Sequence, residues 1–232
     1  MIDVIRSEAR GAADHGWLQS KHTFSFADYH NPEMMGFGKL RVINEDWIEA
    51  GKGFDTHPHR DMEIVTYMIN GALEHKDSMG NGSVIRPGEL QRMTAGTGVL
   101  HSEFNHSPDQ QAHLLQIWIL PEENGLEPGY EQKLFPRDEK QDRWQIVGSR
   151  DGRDGSLTIH QDIILASTLL KKGSAISYRF NDARRGFLQV VSGAVAVGEE
   201  TVSAGDAIAI QDQAEISIAA HEASELLLFD MG

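Results

Sequence analysis

Two short strings in this chain carry residue types that bind transition metals: His57-Pro58-His59 and His101-Ser102-Glu103. In each, two potential ligands stand at i and i+2, and in a β-strand such residues project from one face. Two such strands lying side by side would aim three imidazoles and one carboxylate at a common point. That donor set suits a divalent transition ion, with iron(II) as the first choice and copper, nickel, manganese, cobalt or zinc as rivals. An octahedral ion held this way keeps coordination positions open. There it can acidify a bound hydroxyl and bring two reactants together. The bland alternative is a scatter of unconnected histidines, since the chain has 11 of them. An in-phase His-x-Glu following a His-x-His argues against scatter.

The segments around these strings read as strands. Candidates are 22–27, 38–44, 62–70, 72–76, 83–86, 90–94, 99–104 and 114–120, rich in Val, Ile, Thr and aromatic residues and separated by turn residues. His101 and Glu103 share one face of their strand, and Leu100, Ser102 and Phe104 should fill the other. Pro58 cannot donate a ladder bond, so its strand should be frayed, bulged or at a sheet edge. Glu63 lies an even number of residues from His59, so a regular strand could also turn it inward. Asp77–Gly82 contains Asn81-Gly82 and reads as a hairpin turn.

A second strand-rich block begins near Trp144, with candidates 157–163, 166–170, 175–180, 186–191, 207–210, 215–219 and 226–229. The polar stretch 135–142 reads as a linker or surface loop. No window sustains a 3.6-residue apolar period. Helix should therefore be scarce, confined to a short stretch in the first thirty residues or near Asp212. The blocks echo each other: a β-run ends at Gly71 and at Gly193, and a second Gly precedes an acidic residue at Gly88-Glu89 and Gly205-Asp206. The expected fold class is all-β with little helix. It comprises two domains, a metal-binding one over 1–136 and one over 143–232 without metal ligands.

Composition narrows the function classes. The formal net charge is −14 and cysteine is absent. An acidic surface disfavours nucleic-acid binding, and a chain without cysteine has neither disulfides nor thiolate chemistry. No apolar run reaches the length of a membrane helix, and the first residues lack a secretory core. The expectation is a soluble, cytoplasmic, monomeric protein.

The chain resembles the cupin superfamily and, within it, the pirin family of bicupins. Gly51, His57-x-His59, Glu63 and Gly71 look like the first cupin motif; Gly88, Gly96, His101 and Asn105 look like the second. The strings Thr56–Glu63 and Thr94–Glu103 are similar to those of pirins, as are His22–Ala27 and Gln116–Ile119. Thr94 stands where the second motif usually has Pro, and four residues separate Gly96 from His101; pirin-like members share both features. The resemblance implies two tandem jelly-roll-like cupin barrels. It implies His57, His59 and His101 as ligands, with either Glu63, as in most cupins, or Glu103, as in pirins, as the fourth. Spacing leaves both open, and the strand phase shared with His101 favours Glu103.

The resemblance further implies quercetin 2,3-dioxygenase activity, with a flavonol and O2 as substrates. Glu103 would double as the base, and carbon monoxide would be released. Gln116, Trp118, Phe26 and Phe37 are candidates for holding a ligand or lining the pocket. A metal-bearing, redox-sensing regulatory protein is the alternative. A sugar-binding or isomerase cupin, with only Arg41 and Arg60 near the site, ranks last. The remaining histidines, His15, His22, His30, His75, His106, His113, His160 and His221, lack in-phase partners and read as surface or hydrogen-bonded structural residues. Ordinary imidazoles, with a pKa of about 6.5, would release metal below roughly pH 5 to 6.

Overall fold

A computed structural model describes residues Met1–Gly232. Strands dominate, and the only helical pieces are 3-10 turns at Ser7–Ala9, Arg137–Lys140 and Arg153–Gly155. The all-β expectation therefore holds, and Asp212 lies in a bend at φ 54° with no helix. The chain forms two compact units. One comprises Gly11–Leu134 with Leu157–Gln161; the other comprises Met1–Arg10, Phe135–Ser156 and Asp162–Gly232. The first ten residues thus join the unit built mainly from the second half. Strand Ile2–Ile5 pairs antiparallel with Ala207–Ile210, and the backbone N–H of Ser7 donates to Asp206.

The unit containing Gly11–Leu134 packs two antiparallel sheets. In the larger, the strand order is Gly129–Leu134, Glu89–Thr94, Glu63–Asn70, Ala112–Ile119, Leu40–Ile48, Leu18–His22 and Gly11–Asp14. In the smaller it is Gly53–His59, Val99–Asn105, Leu73–Asp77 and Gly82–Ile85. A core cluster of Leu18, Ile48, Met68, Leu73, Ile85, Ala112 and Leu114 draws on strands of both sheets, which is the interdigitation expected of a sandwich. In the other unit, Val190, Ile208 and Leu228 of one sheet cluster with Val195, Val202, Ile216 and Ile218 of a second.

The sequence echo has a physical basis. Gly71 and Gly193 each follow a strand in the left-handed region, at φ 79° and 80°, where the chain turns into the next strand.

Several elements differ from the sequence expectation. The strand expected over 22–27 ends at His22; Ala27 has φ 48°, incompatible with a strand, and Phe26 and Tyr29 make only an isolated bridge. The segment expected as one strand over 157–163 is divided: Leu157–Thr158 belongs to one unit and the strand Ile163–Leu170 to the other. The polar stretch 135–142 is not a loose linker. It holds a 3-10 turn whose Lys140 is buried, because Ser167 and Glu225 each accept from its ammonium at 3.3 Å.

The small sheet of the Gly11–Leu134 unit inverts the usual pattern. On Val99–Asn105 the side chains of Val99, His101, Glu103 and Asn105 are buried, whereas Leu100 is 48% exposed. The face opposite the candidate ligands is thus no apolar filling; the polar residues point inward. Gly53–His59 is an edge strand, one of the outcomes expected from Pro58. Its register against Val99–Asn105 shifts between the pairs His101–His57 and Glu103–Phe54, a bulge that re-aims the side chains on either side. The bulge ends at Gly53, where a Cβ would lie 2.1 Å from the Glu103 carbonyl oxygen and 2.5 Å from the Phe104 Cα. Both contacts are with backbone, so Gly53→Ala must push the strands apart. Urea unfolding should show a loss of about 1–3 kcal/mol; unchanged stability would mean the strands are not held at this distance.

Candidate metal centre

The antiparallel pairing sets His101 directly opposite His57, with Val99 opposite His59. The i, i+2 spacing then turns all three imidazoles to one place. Ring centroids are 4.8 Å apart for His57–His59, 4.4 Å for His57–His101 and 4.8 Å for His59–His101. One ring nitrogen from each lies within 4.8 Å of the others. The Nε2 atoms of His57 and His101 are 2.9 Å apart. His57 Nδ1–H donates to the Asp55 carbonyl at 2.7 Å, which leaves its Nε2 as a lone pair. Two imidazole nitrogens each about 2.1 Å from one ion, at a right angle, would lie roughly 3 Å apart. The donor set therefore fits a divalent ion.

Glu103 comes close to this group, with a carboxylate oxygen within 4.8 Å of a His101 ring nitrogen. It is buried and held by Gln116, whose Nε2 donates to Oε1 at 3.2 Å and to Oε2 at 2.9 Å. Thr66 donates to Gln116 Oε1 at 3.1 Å, which fixes the amide orientation. These partners belong to one transverse row of the large sheet. Cross-strand register aligns His22 with Asn44, Asn44 with Gln116, Gln116 with Thr66 and Thr66 with Gln91. One row thus supplies polar side chains to the ligands on the small sheet.

A second combination, His75, His101 and Glu103, also brings ligand atoms within 4.8 Å. All three are buried, and both His75 nitrogens already have partners, Asp77 Oδ2 at 3.0 Å and Gln91 Nε2 at 3.1 Å. His75 therefore has no free donor for an ion, and it does not line the cavity. The His57–His59–His101 group instead meets a cavity of about 880 Å³, lined by His57, His59, Glu103 and Gln116 together with apolar residues including Trp17, Phe26, Phe54 and Trp118. Trp118 presents an edge-to-face contact to His59 at 5.0 Å and another to Phe26 at 5.5 Å.

Two candidates lie elsewhere. Glu63 is fully buried, but its carboxylate accepts from the His160 backbone N–H at 3.3 Å and lies 4.0 Å from Arg92 Nε. That placement ties segment 157–161 to its unit. Phe37 pairs with Leu40 in an isolated bridge and does not line the cavity. His75 is the residue that sequence reasoning passed over. Its even offset from Asp77, on a strand one place from His101, was the available signal.

The electrostatics suit neutral ligands. Burial, reinforced by His101 and His57, lowers His59 from 6.5 to about 4. Burial, reinforced by His57 and His75, lowers His101 to about 3. Burial raises the Asp77 carboxyl, but hydrogen bonds from His75 and Asn81 outweigh it and hold Asp77 below the usual carboxylate range.

Known proteins match this chain along its whole length. The Pirin family model matches residues 4–119, and the model described as the quercetinase C-terminal cupin domain matches residues 146–231. The quercetin 2,3-dioxygenase of Escherichia coli is 52% identical over 231 residues, covering 100% of this chain and 99% of that protein. A pirin-like protein of Caulobacter vibrioides is 39% identical, covering 99% of each. The crystal structure of the bacterial pirin YhhW from Escherichia coli in complex with nickel(II) superposes with a TM-score of 0.95 at 50% identity, covering 100% of this chain and 99% of that one.

The lowered imidazole values change the pH expectation. Protons compete for His59 and His101 only near pH 4 and pH 3, not near 6.5. Protonation of His59 and His101 should therefore not expel metal at pH 5, as metal analysis of the wild type after equilibration at stepped pH would show. In the metal-free protein, the unfolded chain takes up protons at these groups as pH falls through 6.5 while the folded chain does not. Stability is thus unpenalised above 6.5 and declines as pH drops toward 4. Denaturant midpoints between pH 7 and 4.5 should fall, and His59→Gln should flatten the decline. An equal slope in that variant would contradict the burial account.

Proposed function

This chain belongs to the pirin family, and from that premise we propose that it is a metal-dependent dioxygenase that opens flavonols such as quercetin with release of carbon monoxide. The observation that carries this reading is the convergence of three imidazoles beside an aromatic-lined cavity, with a Glu103 carboxylate oxygen within 4.8 Å of a His101 ring nitrogen. The Escherichia coli relative named quercetin 2,3-dioxygenase supports it. We assign His57, His59, His101 and Glu103 as the ligands of one ion in the Gly11–Leu134 unit. The other unit, which has no comparable cluster, is assigned a structural role. Iron(II) is our choice of metal; the Escherichia coli pirin was crystallised with nickel(II). The chain is taken to act as a cytoplasmic monomer on small-molecule substrates.

The ion, when bound, supplies Lewis acidity and open coordination positions for a flavonol hydroxyl and dioxygen. The remaining work falls to this chain's own residues. Trp118, Phe26 and Phe54 offer apolar surface to a flat polycyclic substrate and keep water from the reacting face. Glu103 accepts the proton of the flavonol 3-hydroxyl. Gln116 Nε2 donates to both carboxylate oxygens, which holds Glu103 in one position. The deprotonated ring is electron-rich and takes up both atoms of O2. The ring opens to an ester, and one ring carbon leaves as carbon monoxide.

Anaerobic mixing of metal-loaded protein with quercetin should shift the flavonol absorbance, and admission of air should bleach it with carbon monoxide evolved. Glu103→Gln should keep the fold and lower turnover by about 10²–10⁴-fold. Metal-loaded protein that evolves no carbon monoxide would overturn the enzyme assignment in favour of a metal-bearing regulatory protein.

A further inference from the structure

A ligand imidazole is useful only in the tautomer that points its lone pair at the ion. His57 has its tautomer set by the Asp55 carbonyl. For His101 the corresponding group is another histidine. His101 Nδ1 faces His75 Nδ1 at 3.4 Å, and the two rings lie 5.3 Å apart between centroids. His75 is completely buried and stacked on Tyr130 at 4.9 Å. Its far nitrogen, Nε2, lies 3.0 Å from Asp77 Oδ2.

Hydrogen-bond polarity runs in one direction through these groups. An ionised carboxylate only accepts, so His75 Nε2 must carry the proton. A neutral imidazole then has a lone pair on Nδ1. Gln91 Nε2 donates to that lone pair at 3.1 Å. The Nδ1 of His101 faces the same lone pair, so it too must be the protonated atom. The two donors share one acceptor, and both contacts are longer than the usual N–H bond of about 2.9–3.0 Å. The Nε2 of His101 is consequently unprotonated and faces the cavity group.

Asp77 is held in turn. Its Oδ1 accepts from the backbone N–H groups of Met79 and Asn81 at 2.9 and 3.0 Å, and Asn81 Nδ2 donates to its Oδ2 at 2.9 Å. The turn after the strand Leu73–Asp77 therefore clamps the carboxylate that starts the sequence.

We propose that Asp77 and His75 are positioning residues that lock His101 in its Nδ1–H tautomer, so that its Nε2 lone pair is presented to the metal alongside that of His57. The inference rests on the metal assignment above and deepens it. It brings two Nε2 lone pairs, those of His101 and His57, to within 2.9 Å of each other, the spacing two imidazoles take on one ion. It also explains why the strand Leu73–Asp77, which buries His75, lies beside the ligand strand. Groups of this kind typically tune metal affinity by 10–100-fold.

The test uses the full chain stripped of metal. Long-range ¹⁵N–¹H correlation of the histidines at pH 7 should show His101 as a single Nδ1–H tautomer. Finding His101 protonated on Nε2 would overturn the proposal without any variant. Cobalt(II) titration, read from its visible absorption, should then show a 10–100-fold weaker dissociation constant for His75→Phe. That variant keeps the ring stack on Tyr130 but offers no acceptor. His75→Asn places an oxygen where Nδ1 was and should recover most of the affinity. Asp77→Asn should mix the His101 tautomers.

A folded His75→Phe that binds cobalt as tightly as the wild type, with His101 still a single tautomer, would refute the relay. Wild-type protein that binds no cobalt while showing the Nδ1–H tautomer would refute the metal assignment and leave the relay standing.

Discussion

Polar side chains that could hold an ion must sit where water does not compete, yet a buried polar group without a partner costs about 1–3 kcal/mol. Within the Gly11–Leu134 unit that constraint shapes both sheets. The small sheet turns His101 and Glu103 inward, and the large sheet answers with a cross-strand row of polar residues. Gln116 serves Glu103, and Thr66 fixes Gln116. Gln91 and Asp77 satisfy His75, which lies against His101. Apart from Gln91 Oε1, which is buried without a partner, these groups spend their hydrogen-bonding capacity on one another, and the imidazoles of His57, His59 and His101 gather at one place. On the proposed assignment a cation completes the network, so binding the metal and satisfying the buried polar groups amount to one event.

Apolar packing supplies the rigidity this needs. The cluster from Leu18 to Leu114 spans both sheets and packs against Phe54 of the strand that carries His57 and His59, and Val99 of the other ligand strand packs with Ile64 and Met93. At the edge, the bulge and the close approach at Gly53 set the height of His57 and His59 relative to His101. The aromatic residues of the cavity serve a different end. Trp118 touches His59 and Phe26, so the wall that would receive a flat substrate also restrains a ligand ring.

Much of this was legible in the sequence. The i, i+2 spacing of His57/His59 and His101/Glu103 needed only the two-residue period of a strand, and Pro58 pointed to a frayed, bulged or edge strand, of which the edge and a bulge are both found. The paired glycines, Gly71 with Gly193, exposed the repeated unit because left-handed turns demand that residue. Other features were hidden for physical reasons. Leu100 lies outward and His101 inward, the reverse of the pattern that hydrophobicity suggests, because a metal-centred interior rewards polar residues. His75 looked like a lone histidine because its partners, Gln91 and His101, are long-range neighbours brought together by sheet register. Glu63 met the spacing rule but belongs to Arg92 and His160, a pairing across almost a hundred residues. The exchange of Met1–Arg10 and Leu157–Gln161 between units is likewise a matter of tertiary pairing, with no local signature.

X-ray absorption at the metal edge of iron(II)-loaded protein tests the central claim most directly. The account predicts a shell of light atoms with the multiple-scattering pattern of three imidazoles, one carboxylate contribution, and remaining positions filled by exchangeable water. A spectrum with fewer than two imidazoles, or with every position taken by protein atoms, would contradict it.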